Sequence, residues 1–297
     1  MANNYFRVGG HRLCLRFQDH DEQNSMALLP SFAPFRTDGA AADDEPLLFT
    51  LTIDDTLQPA QEKTLVRNFD TGNGDTEVWQ LPDGGYQFVI FNTRKRQCCL
   101  LVCSADFSQC CCALQGDWVM RSFGLNDALM LIYAFAGSFR QTLLIHASCI
   151  LYQGHGYPFI AASGTGKSTH TSLWMKHIEG AQLMNDDNPI IRIGADGQPV
   201  IYGSPWSGKT PCYRNIQAPL GAVTRIERAP HNSIERLRPV YAFASLLPAC
   251  SSMKWDGPIY DNLCRAVSRI VETTPIFTLH CLPDEEAARV CHSTIAS

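Results

Sequence analysis

The sequence predicts a mixed α/β (α+β) fold in two parts: a β-rich region over residues 1–122 and an α/β region over residues 123–297. Three observations carry this. Short β-prone runs divided by turn residues fill the first part, and a long apolar run opens the second. Beyond that run, strand-like and helix-like segments alternate. With 297 residues, 45% of them hydrophobic and 18% charged, the chain can bury a large core.

In the first part the expected strands are Arg12–Phe17, Leu47–Ile53, Thr76–Leu81, Tyr86–Asn92, Gln97–Cys103 and Gln109–Leu114. Asp70-Thr71-Gly72-Asn73-Gly74 and Pro82-Asp83-Gly84-Gly85 read as turns between them, which predicts an antiparallel meander. The acidic runs Asp19–Glu22 and Asp43–Glu45 read as solvated loops. Leu125 to Thr142 is helical by pattern, with Asn126 or Asp127 as its cap. Strands are then expected at Ile145–Tyr152, Pro158–Ala162, Gln182–Met184, Ile190–Ile193, Val200–Tyr202, Ala222–Glu227 and Ile276–His280. Helices are expected from about Lys167 to His177 and at Val240–Leu247, Tyr260–Glu272 and Asp284–Ile295.

Composition narrows the function classes. A net charge of −5 argues against a nucleic-acid binder that relies on a broad basic surface, and against attraction to anionic membranes. Met1-Ala2-Asn3-Asn4 does not begin a basic and then apolar leader, and Ala128–Phe139 is too short to span a bilayer. A cytoplasmic protein is the expectation. Thirteen cysteines include Cys98, Cys99, Cys103, Cys110, Cys111 and Cys112, without the paired C-x-x-C spacing of a zinc site. They read as small buried hydrophobes kept reduced.

The chemistry concentrates in the second part. Ala161 to Ser168 reads Ala-Ala-Ser-Gly-Thr-Gly-Lys-Ser, one residue short of the Walker A pattern G-x-x-x-x-G-K-[ST] because Ala161 stands at the first glycine. Gly164 and Gly166 free the backbone N–H groups to face phosphates, and the N-terminus of the following helix adds favourable charge. Ser163 to Thr169 would hold the phosphates of a nucleotide such as ATP. Lys167 would meet the β- and γ-phosphates, and the Ser168 hydroxyl would join the shell of Mg²⁺. Asp186 and Asp187 end a short strand nineteen and twenty residues after Lys167, in position for a magnesium ligand and a proton acceptor. His146 precedes the phosphate-loop strand and reads either as a structural histidine or as a site residue. The loop Gly203 to Lys209 offers Trp206 and Lys209 as a clamp on phosphate or acceptor, or serves only to turn the chain.

Three motifs in order, Ile145-His146-Ala147-Ser148, Ser163–Ser168 and Asn185-Asp186-Asp187, resemble two related groups. These are the HPr kinase/phosphorylase catalytic domain and the nucleotide half of ATP-dependent phosphoenolpyruvate carboxykinase. The resemblance covers roughly residues 143–228 and implies a P-loop kinase core of that type. It also implies that His146 sits beside the transferring phosphate, that one aspartate is the base and that the other, with Ser168, positions the metal; Asp187 is the expected metal residue. The separate substrate half of a carboxykinase is missing, and so is the Glu-Ile-Arg-Gly segment of HPr kinases. The β-rich first part matches neither group.

The expected function is therefore an ATP- and Mg²⁺-dependent phosphotransferase acting on a hydroxyl, either a serine in a protein or peptide or a small molecule. Asp186, Asp187, His146 and Lys167 would be its catalytic residues. A nucleotide-binding regulatory module without acceptor chemistry is the alternative. The expected partner is the phosphate acceptor, with neither nucleic acid nor membrane, and homo-oligomer formation is compatible with this reading. The sequence has no Asn-Lys-x-Asp guanine reader and no G-x-S-x-G elbow, so a GTPase or serine hydrolase is not favoured.

Overall fold

A computed structural model describes residues 2–18, 23–37, 45–70 and 74–296. The acidic runs Asp19–Glu22 and Asp43–Asp44, and the turn residues Thr71, Gly72 and Asn73, lie outside the described residues. Glu45, the described end of the second run, lies in a bend and takes both arms of the partly exposed Arg7 guanidinium at 2.9 and 2.6 Å. The fold is mixed α/β, in two compact units, Met1–Phe139 and Arg140–Ser297. Among the described residues no helix is long and apolar enough to cross a membrane.

Among its described residues, the first unit holds a nine-stranded sheet, a long helix and short 3-10 helices at Met26–Leu28 and Pro30–Phe35. Its strands are β1 (Ala2–Val8), β2 (His11–Phe17), β3 (Arg36–Thr37), β4 (Leu47–Ile53), β5 (Thr64–Asp70), β6 (Asp75–Gln80), β7 (Tyr86–Phe91), β8 (Gln97–Cys103) and β9 (Gln109–Leu114). Their order is β3-β1-β2-β4-β9-β8-β7-β6-β5. From β5 to β9 the sheet is the expected antiparallel meander. The Pro82–Gly85 turn is closed by the Leu81 N–H on the Gly85 carbonyl at 2.9 Å, with Gly84 at a φ of 85° that favours glycine. The meander does not extend to β4, which runs parallel to both β2 and β9, so the sheet is mixed.

The helix α1 (Trp118–Ser138) begins earlier than expected, because the Asp117 carboxylate caps it by accepting from the Met120 N–H at 3.0 Å. Asn126 and Asp127 lie inside it. A Cβ added to Gly124 would come within 2.8 Å of the Cys98 carbonyl oxygen, so glycine here lets the helix settle onto β8. Arg121 is buried and reaches Asp55 at 2.5 Å and the Leu114 carbonyl at 2.8 Å. By this packing α1 belongs to the first unit, and the division falls at Phe139/Arg140, not at residues 122/123.

All thirteen cysteines are free and most are buried, in line with their reading as small hydrophobes. Burial pushes the Cys103 and Cys149 thiols well up, and Cys111 to about 11, so these sulfurs stay protonated and weakly reactive near neutral pH.

The second unit contains β10 (Thr142–Leu144), β11 (Ala147–Tyr152), β12 (His155–Ile160), α2 (Lys167–His177), β13 (Gln182–Asp187), β14 (Ile190–Ile193), β15 (Pro199–Tyr202), β16 (Gln217–Pro219), β17 (Val223–Arg228), β18 (Ser233–Arg236), α3 (Pro239–Leu246), α4 (Gly257–Thr273), β19 (Ile276–Cys281) and α5 (Glu285–Ile295). A six-stranded sheet runs β13-β11-β12-β17-β19-β18, and a four-stranded one runs β10-β14-β15-β16. Side chains alternate across the larger sheet. On one face Ile150, Tyr157, Phe159 and Leu279 pack with Trp174 of α2 and Cys291 of α5. On the other, Ala147, Cys149, Ile160 and Val223 pack with Ile191 and Ile201 of the smaller sheet and with Leu246 and Val267 of α3 and α4. At the centre, β12, β17 and β19 are parallel neighbours and end on the same side. The loop that begins at Ala161 leaves β12 at that end.

Candidate functional site

The loop from Ala161 to Gly166 joins β12 to α2, the strand–loop–helix context its sequence calls for. Gly164 and Gly166 take φ values of 74° and 127°, where side chains are strained, while open space surrounds both. Backbone freedom is therefore what glycine supplies here. Ala161 is not among the residues with positive φ, so alanine at the first position of the pattern carries no backbone penalty.

Lys167 opens α2 and is buried. Its Nζ lies 2.7 Å from His146 Nε2 and 3.3 Å from the Ala161 carbonyl oxygen. His146 lies between β10 and β11, and the β11–β13 pairing sets its neighbour Ala147 opposite Asp187. His146 Nδ1 thus comes 3.2 Å from Asp187 Oδ1. Burial depresses the histidine pKa, against the pull of Asp187 and with the push of Lys167. A neutral imidazole satisfies both contacts: Nδ1–H donates to Asp187, and Nε2 accepts from the ammonium. Burial also depresses the Lys167 pKa, which Asp187 and Asp186 oppose.

Asp186 does a separate job. Its Oδ1 accepts from the Ser168 hydroxyl at 2.9 Å, and its Oδ2 accepts from the Thr210 N–H at 3.2 Å. The expected metal pair was Ser168 with Asp187, but the hydroxyl meets Asp186. The two carboxylates diverge because successive side chains of a strand point to opposite sides. Asp187 adopts a φ of 123°, an uncommon conformation for a residue with a side chain, and its Oδ2 accepts from Asn188 Nδ2 at 2.7 Å. Among the described residues no three His, Cys, Asp or Glu side chains group as a metal cage. A carboxylate and a hydroxyl completed by nucleotide phosphates and water still suit magnesium, which is rarely held by an all-protein cage.

Asn185 entered the sequence reading only as the first residue of the Asn185-Asp186-Asp187 motif, with no role of its own. It is fully buried, and its Nδ2 lies 3.0 Å from the Trp206 carbonyl and 3.2 Å from Ser204 Oγ, while its Oδ1 takes the Asn188 N–H at 3.0 Å. One amide thus fastens the 203–212 loop against the two aspartates. Trp206 is buried within that loop, so its side chain presents no broad surface to an acceptor. Lys209 is exposed, beside Gly208, whose N–H donates to the Asp186 carbonyl. Ser163 is exposed in the loop between β12 and α2.

Beside the loop lies a cleft of about 470 Å³, lined by Gly164 to Gly166, Thr169, Leu173, Ile226 and the Cys281–Pro283 turn, with Arg228 its lysine or arginine. Its walls are mostly apolar. The loop and α2 are thereby flanked by carboxylates on the β13 side and by an apolar cleft on the β19 side.

Inside α2, His170 is buried and its Nε2 accepts from the Trp174 indole N–H at 3.1 Å. Burial pushes its pKa down to about 4. The folded state therefore binds fewer protons than the unfolded chain below the ordinary histidine value of 6.5. Stability is present above that value and is lost as pH falls from there towards about 4. Melting of the wild type should lose ~3 kcal/mol over this window from His170. His170→Gln should show a flatter acid limb, and an unchanged slope in that variant would remove the histidine from the account.

No family model matches the chain, and neither does any curated protein. Among solved structures it is similar to the Hpr(Ser) kinase/phosphatase from Coxiella burnetii, with 11% identity and a TM-score of 0.29 over 50% of this chain and 91% of that one.

Proposed function

We propose that this chain is an ATP- and Mg²⁺-dependent phosphotransferase that moves the γ-phosphate to a hydroxyl, on a serine of a protein or peptide or on a small molecule. The observation that carries the reading is the convergence of Lys167, His146 and Asp187 at 2.7 and 3.2 Å, beside the Ser168–Asp186 contact at 2.9 Å. A loop that only bound nucleotide would not need a second carboxylate linked through a histidine to its lysine.

In this reading the loop N–H groups and the helix N-terminus hold the phosphates, and the apolar cleft accepts the nucleoside end. Ser168 and Asp186 would hold magnesium, which would supply positive charge to offset that of the phosphates. Lys167 leaves His146 to neutralise the oxygens of the transferring group. Asp187, on the other side of His146, accepts the proton of the attacking hydroxyl as the O–P bond to the acceptor forms and the bond to the ADP oxygen breaks. The imidazole keeps Asp187 oriented through its Nδ1–H.

The test is incubation with γ-labelled ATP, magnesium and a cell extract, followed by mass spectrometry of labelled species. Label on a defined hydroxyl, dependent on Lys167, supports the proposal. Tight ATP binding with no labelled acceptor supports the regulatory module instead.

A further inference from the structure

Arg228 lies sixty residues beyond the end of the Ser163–Ser168 motif, yet it touches the loop directly. Parallel pairing sets Ile160 of β12 opposite Arg225 of β17, so the two strands run out together. Arg228, at the end of β17, thereby comes level with the loop. Its Nη2 donates to the Gly164 carbonyl at 2.6 Å and its Nε to the Thr165 carbonyl at 3.2 Å.

We infer that Arg228 is a positioning residue that pre-sets the phosphate loop for polyphosphate, an inference that rests on the nucleotide reading above. In a planar trans peptide the carbonyl and the following N–H point in opposite directions. With the Thr165 carbonyl turned to Arg228, the Gly166 N–H faces away from it. With the Gly164 carbonyl held likewise, the Thr165 N–H turns to the Ala162 carbonyl at 3.1 Å and closes the turn. Nothing lies within 4 Å of where a Cβ would sit on Gly164 or Gly166, and glycine has wide backbone freedom, so the two carbonyl contacts restrain peptide planes that side-chain packing does not. Fixing them beforehand removes an ordering cost from phosphate binding. The flat guanidinium fork can grip two carbonyls at once, whereas a lysine keeps the charge without the fork.

The test is calorimetric titration of the full chain with tripolyphosphate and with a non-hydrolysable ATP analogue. Arg228→Ala should weaken both by about tenfold, and Arg228→Lys should stay about fivefold weak despite its charge. Thermal melting of both variants checks that they are folded; if the alanine variant does not fold, the lysine variant decides. Wild-type affinity for tripolyphosphate in a folded variant overturns the inference. So does full recovery in Arg228→Lys, which would leave charge alone as the cause. Loss of the ATP analogue with tripolyphosphate unchanged assigns Arg228 to the nucleoside end and also overturns it. If the wild type binds neither ligand, the nucleotide reading itself fails.

Discussion

Asp187→Asn should lower phosphoryl transfer by about a thousandfold while leaving ATP-analogue affinity within about threefold of wild type. Asparagine keeps the size of the side chain and an oxygen for the His146 Nδ1–H, now 3.2 Å from the carboxylate. It cannot take a proton from a hydroxyl. The effect should therefore fall on kcat, with the KM for ATP little changed. Asp186→Asn should behave differently. It weakens the group beside Ser168, so its loss should be partly recovered by raising magnesium concentration. Steady-state kinetics over a magnesium series would separate the two. Full transfer by Asp187→Asn would sink its assignment as the base.

The second large effect is expected at Lys167. Lys167→Met removes the ammonium that lies between His146 and the loop. Two charge-assisted hydrogen bonds to phosphate, at roughly 1.5–3 kcal/mol each, correspond to at least a hundredfold weaker binding of an ATP analogue. The fold should not suffer in proportion. Burial already disfavours the charged form of this lysine, so an apolar side chain of similar length suits the hole. Calorimetry should show binding lost, and thermal melting should show a midpoint equal to or above that of the wild type. A variant that bound ATP normally would remove Lys167 from the phosphate site.

Much of the fold was legible because local signals and tertiary structure agreed. Leu47–Ile53, Gln97–Cys103, Gln109–Leu114 and Ile190–Ile193 occupy the expected bounds, and α2 begins at Lys167 as the phosphate motif requires. The strands that were missed have no such agreement. β5 is an edge strand with exposed positions, such as Leu65 at 51%, and shows no core-facing alternation. β1 carries polar Asn3 and Asn4 in its first half, although Phe6 and Val8 are buried. The start of α1 was hidden because Arg121 reads as a surface charge, yet it is buried against Asp55.

In the site, the contiguous motif and the paired aspartates could be read directly. Which aspartate meets Ser168 could not, since that depends on how β13 is twisted against the loop. The roles of Asn185 and Arg228 were hidden for a related reason. Each is a single residue in an ordinary strand context, and its partners come from segments brought near by strand pairing.

The backbone of Asp187 has a consequence for how this position can be probed. At a φ of 123° the main chain itself restricts which side chains fit, before any chemistry is considered. A saturation scan read out by activity would rank valine, isoleucine and alanine as severe, and part of that ranking would reflect misfolding. Glycine and asparagine tolerate such a backbone best, so they alone report the chemical role cleanly. A scan scored for both abundance and transfer should show those two substitutions falling on a separate line: well expressed and inactive.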